Sequence, residues 1–119
     1  MIALKAYAHE NGCPWSAKTS SSAAFVGSLN CLQYAHENGC HWDEDTATNA
    51  SWSGNLDCLK YAHENNCPWN ESIPAMAASN GYLDCLRYAY ENGCPWDENT
   101  IKNGHLDCVR YARDNGCPG

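Results

Sequence analysis

Apolar and polar positions alternate along the chain with a helical period. In Leu56-Asp57-Cys58-Leu59-Lys60-Tyr61-Ala62-His63-Glu64-Asn65, the residues Leu56, Leu59 and Ala62 fall at i, i+3 and i+6, with Cys58 and Tyr61 beside them. That spacing makes one apolar face, and Asp57, Lys60 and Glu64 occupy the other. It predicts a helix over about Leu56–Asn65. Asn66 and then Pro68 follow. Asn or Gly suits a left-handed C-cap, and a proline shortly afterwards keeps the helix from resuming.

The same pattern recurs every 27 residues. Cys13, Cys40, Cys67 and Cys94 keep that step, as do Cys31, Cys58 and Cys85, and Trp15, Trp42, Trp69 and Trp96. Leu29, Leu56 and Leu83 keep it too, with Tyr34, Tyr61 and Tyr88. The capping position reads Gly12, Gly39, Asn66, Gly93 and Gly116. A second, shorter helix is expected ahead of each of these, at Thr19–Val26, Thr46–Ser53 and Ile73–Asn80. Small pairs sit at its centre, Ala23-Ala24, Ala50-Ser51 and Ala77-Ala78, which lets neighbouring helices approach closely. Asp45 and Ser72 suit N-caps, and Pro74 fits the first turn. Gly27, Gly54, Gly81 and Gly104 supply the turn into the longer helix.

A fixed period of this size marks stacked supersecondary units. The chain therefore reads as a single all-α domain, 1–119, in rungs of roughly 1–15, 16–42, 43–69, 70–96 and 97–119. The last step, from Cys85 to Cys108 and from Cys94 to Cys117, is 23 residues. About one helical turn is missing there, and Asn99–Asn103 is too short to predict as a helix. The sequence starts and stops inside a unit, with no polar capping face at either end. That fits a fragment of a longer array, or end rungs that stack head to tail on further copies as an open assembly.

At this level of detail the unit resembles an ankyrin repeat. The ankyrin pattern A-A-x-N-G-H-L-E-V-V-K-L-L-L-E-A-G-A-D-V-N lies without a gap on the segment from Ala77 through Asn80-Gly81-Tyr82-Leu83-Asp84 to Gly93-Cys94-Pro95-Trp96-Asp97. Gly104-His105-Leu106-Asp107 also follows it. The family period is about 33 residues, so about six are absent, between Trp69 and the next short helix, where ankyrins carry a projecting β-hairpin finger. Ser72-Ile73 stands in place of the family's Thr-Pro, and Cys-Pro-Trp in place of Ala-Asp-Val. The resemblance implies a short right-handed helical-hairpin solenoid of about four repeats that binds another protein on its concave, short-helix side. Cys-Pro-Trp units of this kind are similar to those in ankyrin-type proteins of large DNA viruses and protists. A cytoplasmic location follows, in a host cell where the source is viral.

Composition narrows the function further. With 119 residues, 44% hydrophobic, the chain can build one core. Its formal net charge of −7 opposes binding to nucleic acid. No apolar run approaches the roughly 18 residues of a membrane span. The opening Met1-Ile2-Ala3-Leu4-Lys5 lacks the apolar core of a secretory leader, so an intracellular protein is expected.

The nine cysteines read as small buried hydrophobes. A disulfide needs Cα atoms within about 7 Å, whereas equivalent positions in stacked helices lie about 8–10 Å apart. Cys58 and Cys67 would be about 13 Å apart along their helix. No CxxC pair suggests zinc. The ladder His9, His36, His63 continues as Tyr90 and Arg113, an exchange that a half-exposed helix position accepts and a metal or relay site does not. Glu-Asn doublets such as Glu64-Asn65 read as solvated helix ends. The tryptophan ladder is expected to pack between rungs. With no nucleophile–base pair, phosphate loop or ligand-spaced metal motif, no enzymatic activity, metal or cofactor is expected.

One contrast points to a partner site. Long-helix positions hardly change between rungs, but two short-helix positions do. Aligned on the glycine, the first reads Phe25, Trp52, Ser79, Lys102 and the second Val26, Ser53, Asn80, Asn103. Residues that vary on a fixed scaffold are natural partner readers, and exposed aromatics are frequent anchors. The expected contact set is Phe25, Trp52, Ser79 and Lys102, with Val26, Ser53 and Asn80 beside them, Phe25 and Trp52 leading.

Overall fold

The periodicity is realised as eight helices among the described residues. In order they are α1 Thr19–Val26, α2 Leu29–Glu37, α3 Thr46–Ser53, α4 Leu56–Glu64, α5 Ser72–Ser79, α6 Leu83–Glu91, α7 Asn99–Lys102 and α8 Leu106–Asp114. The structure, a computed structural model, describes residues 19–37, 39, 42 and 45–119. The first rung, with His9, Cys13 and Trp15, lies outside them, as does Cys40. No strand occurs among the described residues, so the fold is all-α. α1 and α3 have the expected spans, and α5 is displaced by one residue from Ile73–Asn80. Asn99–Asn103 keeps a single helical turn, α7.

The helices form hairpins: α1 packs on α2, α3 on α4, α5 on α6 and α7 on α8. Short helices also touch one another in order, α1 with α3, α3 with α5 and α5 with α7. Long helices do the same, α2 with α4, α4 with α6 and α6 with α8. Two layers result, and the chain measures 50 × 21 × 18 Å. No helix among the described residues is long and apolar enough to cross a membrane.

Each layer follows from its residues. In the short-helix layer Ala23, Ala24, Ala50, Ala77 and Ala78 are wholly buried, which brings the helices close. Ser51 is buried with them, and its hydroxyl donates to the carbonyl of Ile73 on the next rung at 2.6 Å. Beneath, Leu32, Leu59 and Leu86 lose all contact with solvent, beside Cys58, Cys85, Ala62 and Ala89.

The turns are held by a repeated contact. Gly54 ends α3 at φ 74°, and a Cβ there would stand 2.6 Å from the Tyr82 ring. Gly27 meets Asn55 in the same way, and Gly81 meets His105. The residue ahead of each long helix thus lies over the glycine of the preceding rung. Asn55 adds a hydrogen bond, its Nδ2 donating to the carbonyl of Ala24 at 2.9 Å. Asn66, at φ 69°, is the one non-glycine with positive φ among the described residues. It closes α4 as the cap pattern predicts, with the Cys67 N–H donating to the Ala62 carbonyl at 2.9 Å.

Some expectations are corrected. Asp45 stands at the N-cap position of α3 without a side-chain cap bond, and Ser72 lies inside α5. Capping comes from further upstream. Asn70 Oδ1 accepts the Ser72 N–H at 2.8 Å, and the equivalent Asp97 Oδ1 accepts the Asn99 N–H at 2.9 Å. A side chain two residues before the helix reaches the free N–H that a residue at its start cannot. The asparagines of the Glu-Asn doublets, and Asn115 in the equivalent Asp114-Asn115, are also more than solvated ends. Asn65, Asn92 and Asn115 each donate from Nδ2 to the carbonyl four residues earlier, at 2.8 Å.

The thiol expectation holds at six cysteines and fails at one. Cys58, Cys67, Cys85, Cys94, Cys108 and Cys117 are free and buried. The Cys94 thiol donates to the Asn70 carbonyl and the Cys117 thiol to that of Asp97, both at 3.3 Å, fastening the end of a rung to its beginning. Cys31 is disulfide-bonded. The spacing argument, from stacked positions and from the Cys58–Cys67 separation along one unit, predicted no disulfide, and Cys31 overturns it.

The described tryptophans of the ladder, Trp42, Trp69 and Trp96, pack against the core, and Trp42 and Trp69 reach the next rung. Trp42 stacks on His36 with ring centroids 4.3 Å apart, meets the next rung's Tyr61 edge-on at 6.1 Å, and donates from Nε1 to the Asn65 carbonyl at 2.9 Å. His63 and Trp69 repeat the stack at 3.7 Å, with Tyr88 edge-on to Trp69 at 6.4 Å. Tyr90 and Trp96 repeat it at 4.3 Å. The histidine ladder is therefore a row of flat stacking rings. Tyrosine can replace histidine there because the position uses a ring face, not a proton.

Candidate functional site

The exposed side of the short-helix layer carries a two-part groove. One hollow, of about 240 Å³, is lined by Phe25, Thr48, Asn49, Trp52 and Met76. A second, of about 410 Å³, shares Trp52 and Met76 and continues past Ser79 to Glu71, Asp97 and Asn103. The shared residues make the two continuous. Phe25 is 50% exposed and Trp52 is 45% exposed. Rings left this open present an apolar surface to solvent.

Helix geometry explains the convergence. On one helix, positions three and four apart share a face. Thr48 and Asn49 therefore sit beside Trp52 on α3, and Ala75 and Met76 beside Ser79 on α5. Inter-rung packing then sets Phe25, Trp52 and Met76 in sequence across α1, α3 and α5. Asn49 is fixed by its Nδ2, which donates to the Ser21 carbonyl at 3.3 Å.

The expected contact residues divide. Phe25, Trp52 and Ser79 line the groove. Lys102 lines a separate hollow with Glu98, Ile101 and Gly119. The shortened last rung accounts for this: α7 has one turn, so Asn103 reaches the groove instead. Val26 is 65% exposed but lines neither hollow. Ser53 is absent from both linings. Asn80 is a clip, its Nδ2 donating to the Trp52 carbonyl at 3.3 Å and the Met76 carbonyl at 3.2 Å. The row alignment missed Met76, Thr48, Asn49, Glu71 and Asp97. Stepping back three and four residues from Trp52 and Ser79 would have found the first three.

Elsewhere three buried thiols are held protonated. Burial, with the charge of Asp57 adding to it, pushes the Cys58 thiol up to about 11. Burial and then Asp84 push Cys85 to about 12, and burial and then Glu71 push Cys94 to about 12. These thiols stay protonated at neutral pH and are poor nucleophiles. Among the described residues no three His, Cys, Asp or Glu side chains converge as a metal site requires. No protein-family model, curated protein or solved structure matches the chain.

Proposed function

We propose that the chain is a non-enzymatic protein-interaction module, an ankyrin-like solenoid of helical hairpins that holds a partner protein along its short-helix face. The observation that carries this reading is the groove itself. Two large aromatic side chains, Phe25 and Trp52, stand open on a face whose backbone is fixed by buried alanines on the other side. Fixed scaffold and variable exposed rings are what recognition of one protein by another requires. The hairpin order and the two-layer contacts support the solenoid part of the reading.

Affinity capture from the source cell tests it, with wild type and two variants compared side by side. A partner retained by wild type and by Arg110→Ala, which alters an exposed long-helix position, and lost on Trp52→Ala, is the expected outcome. Retention on Trp52→Ala would contradict the assignment of the face. A mass that rises with concentration in a dilution series would favour self-association.

A further inference from the structure

Charged side chains are concentrated on the long helices, where carboxylates such as Asp57, Asp84 and Asp107 accompany the cations, and the short helices hold no carboxylate. Among the described residues Lys60, Arg87, Arg110 and Arg113 lie on long helices, and Lys102 alone lies on a short one. Lys102 belongs to the other hollow, against Glu98. The groove is lined by two carboxylates, Glu71 and Asp97, and by no cation among the described residues. Glu71 is exposed and Asp97 half-buried. Asp97 is oriented by Asn99, whose N–H donates to Oδ1 at 2.9 Å and whose Nδ2 donates to Oδ2 at 3.5 Å, and each oxygen keeps a further lone pair.

These facts discriminate between occupants. An acidic segment would meet like charge in a chain of net charge −7. A neutral apolar segment would cover both carboxylates without pairing them, which is unfavourable. A cationic segment pairs them, and its side chains also suit an open indole face. The molecule already uses that contact internally, with Lys60 Nζ 5.7 Å above the Tyr88 ring and Arg87 Cζ 5.5 Å above Tyr111. From Phe25 to Asn103 the groove crosses four rungs. At about 8–10 Å between packed helices that is about 30 Å, the length of about nine extended residues.

We infer that the groove receives a basic, extended segment of the partner, with an apolar side chain among Phe25, Trp52 and Met76 and a Lys or Arg at Glu71 and Asp97. This rests on the reading of the face as a protein-binding surface and adds the chemistry of what binds.

The test uses three fluorescein-labelled peptides of about nine residues, in which Leu alternates with Arg, Gln or Glu, titrated against the whole chain by anisotropy. The Arg peptide is expected to bind about tenfold more tightly than the Gln peptide and to weaken with salt, as close charge pairs do. The Glu peptide is expected not to bind. Glu71→Gln with Asp97→Asn should bring the Arg peptide to the Gln level and leave the Gln peptide unchanged. Asn at 97 keeps the oxygen that accepts the Asn99 N–H, and circular dichroism checks that the variant folds. Equal binding of all three peptides, lost on Trp52→Ala, would overturn the basic-segment inference and leave the protein-binding reading standing. Arg-peptide binding indifferent to the double variant would overturn it, as would binding of no peptide, and the capture experiment then decides the broader reading. Dimerisation lost on Trp52→Ala would put a second copy in the groove and likewise overturn it.

Discussion

At inward positions the long helices hardly vary: Leu32, Leu59 and Leu86 are interchangeable from rung to rung, as are Cys58, Cys85 and Cys108, and each is buried. At outward positions the short helices place Phe25, Trp52 and Ser79 in one row, a large ring, a larger one and a small hydroxyl. The first layer obeys its neighbours. A side chain wedged between two identical rungs must fit both, so the repeat copies it. The second layer meets solvent on its outer side, and nothing within the fold dictates what stands there.

The largest break in that comparison is expected at Leu59→Ala. Truncating a wholly buried leucine costs about 2–5 kcal/mol, and urea denaturation should show the loss. Gly54→Ala follows at about 2 kcal/mol, because positive φ is strained for alanine and the Tyr82 ring must move. Gly93→Ala sharpens the point. Its φ is 83° but nothing lies within 4 Å, so only the backbone part, about 1 kcal/mol, should remain. Of similar size is His63→Ala, expected to cost about 1 kcal/mol through the lost stack on Trp69, while His63→Tyr should stay within about 0.5 kcal/mol. Trp52→Ala, on the other layer, should change stability by less than about 0.5 kcal/mol.

The buried thiols give a pH test of the inward layer. In the unfolded chain a cysteine ionises near its ordinary value of 9.0, while the folded chain holds Cys58 protonated to about 11 and Cys85 and Cys94 to about 12. Above pH 9 the unfolded state therefore binds fewer protons than the folded one. Their contribution is fully present below pH 9 and is lost as pH rises from 9 toward 12. Denaturation midpoints measured across that range should fall, and replacing Cys85 with Ala should flatten the slope.

Much of the architecture was legible because it repeats. The step of 27 residues located α1 to α6, the 23-residue last step located α8, and Asn66 announced its own backbone conformation by standing where the other rungs have Gly. What was not legible depends on register in space. Lys102 aligns with Trp52 along the chain, yet one missing turn moves it to a different hollow and brings Asn103 forward. Asn80 aligns with exposed residues but spends its amide on two carbonyls. The acidic wall of the groove comes from loop residues, Glu71 and Asp97, which no short-helix pattern includes. Cys31 departs from its ladder through a bond that periodicity does not encode.

Amide hydrogen exchange, with and without the captured partner bound, tests the separation of the two layers most directly. Slowed exchange confined to α1, α3, α5 and the loops carrying Glu71 and Asp97 is the predicted result. Slowing on α4 and α6, with the short helices unchanged, would contradict it.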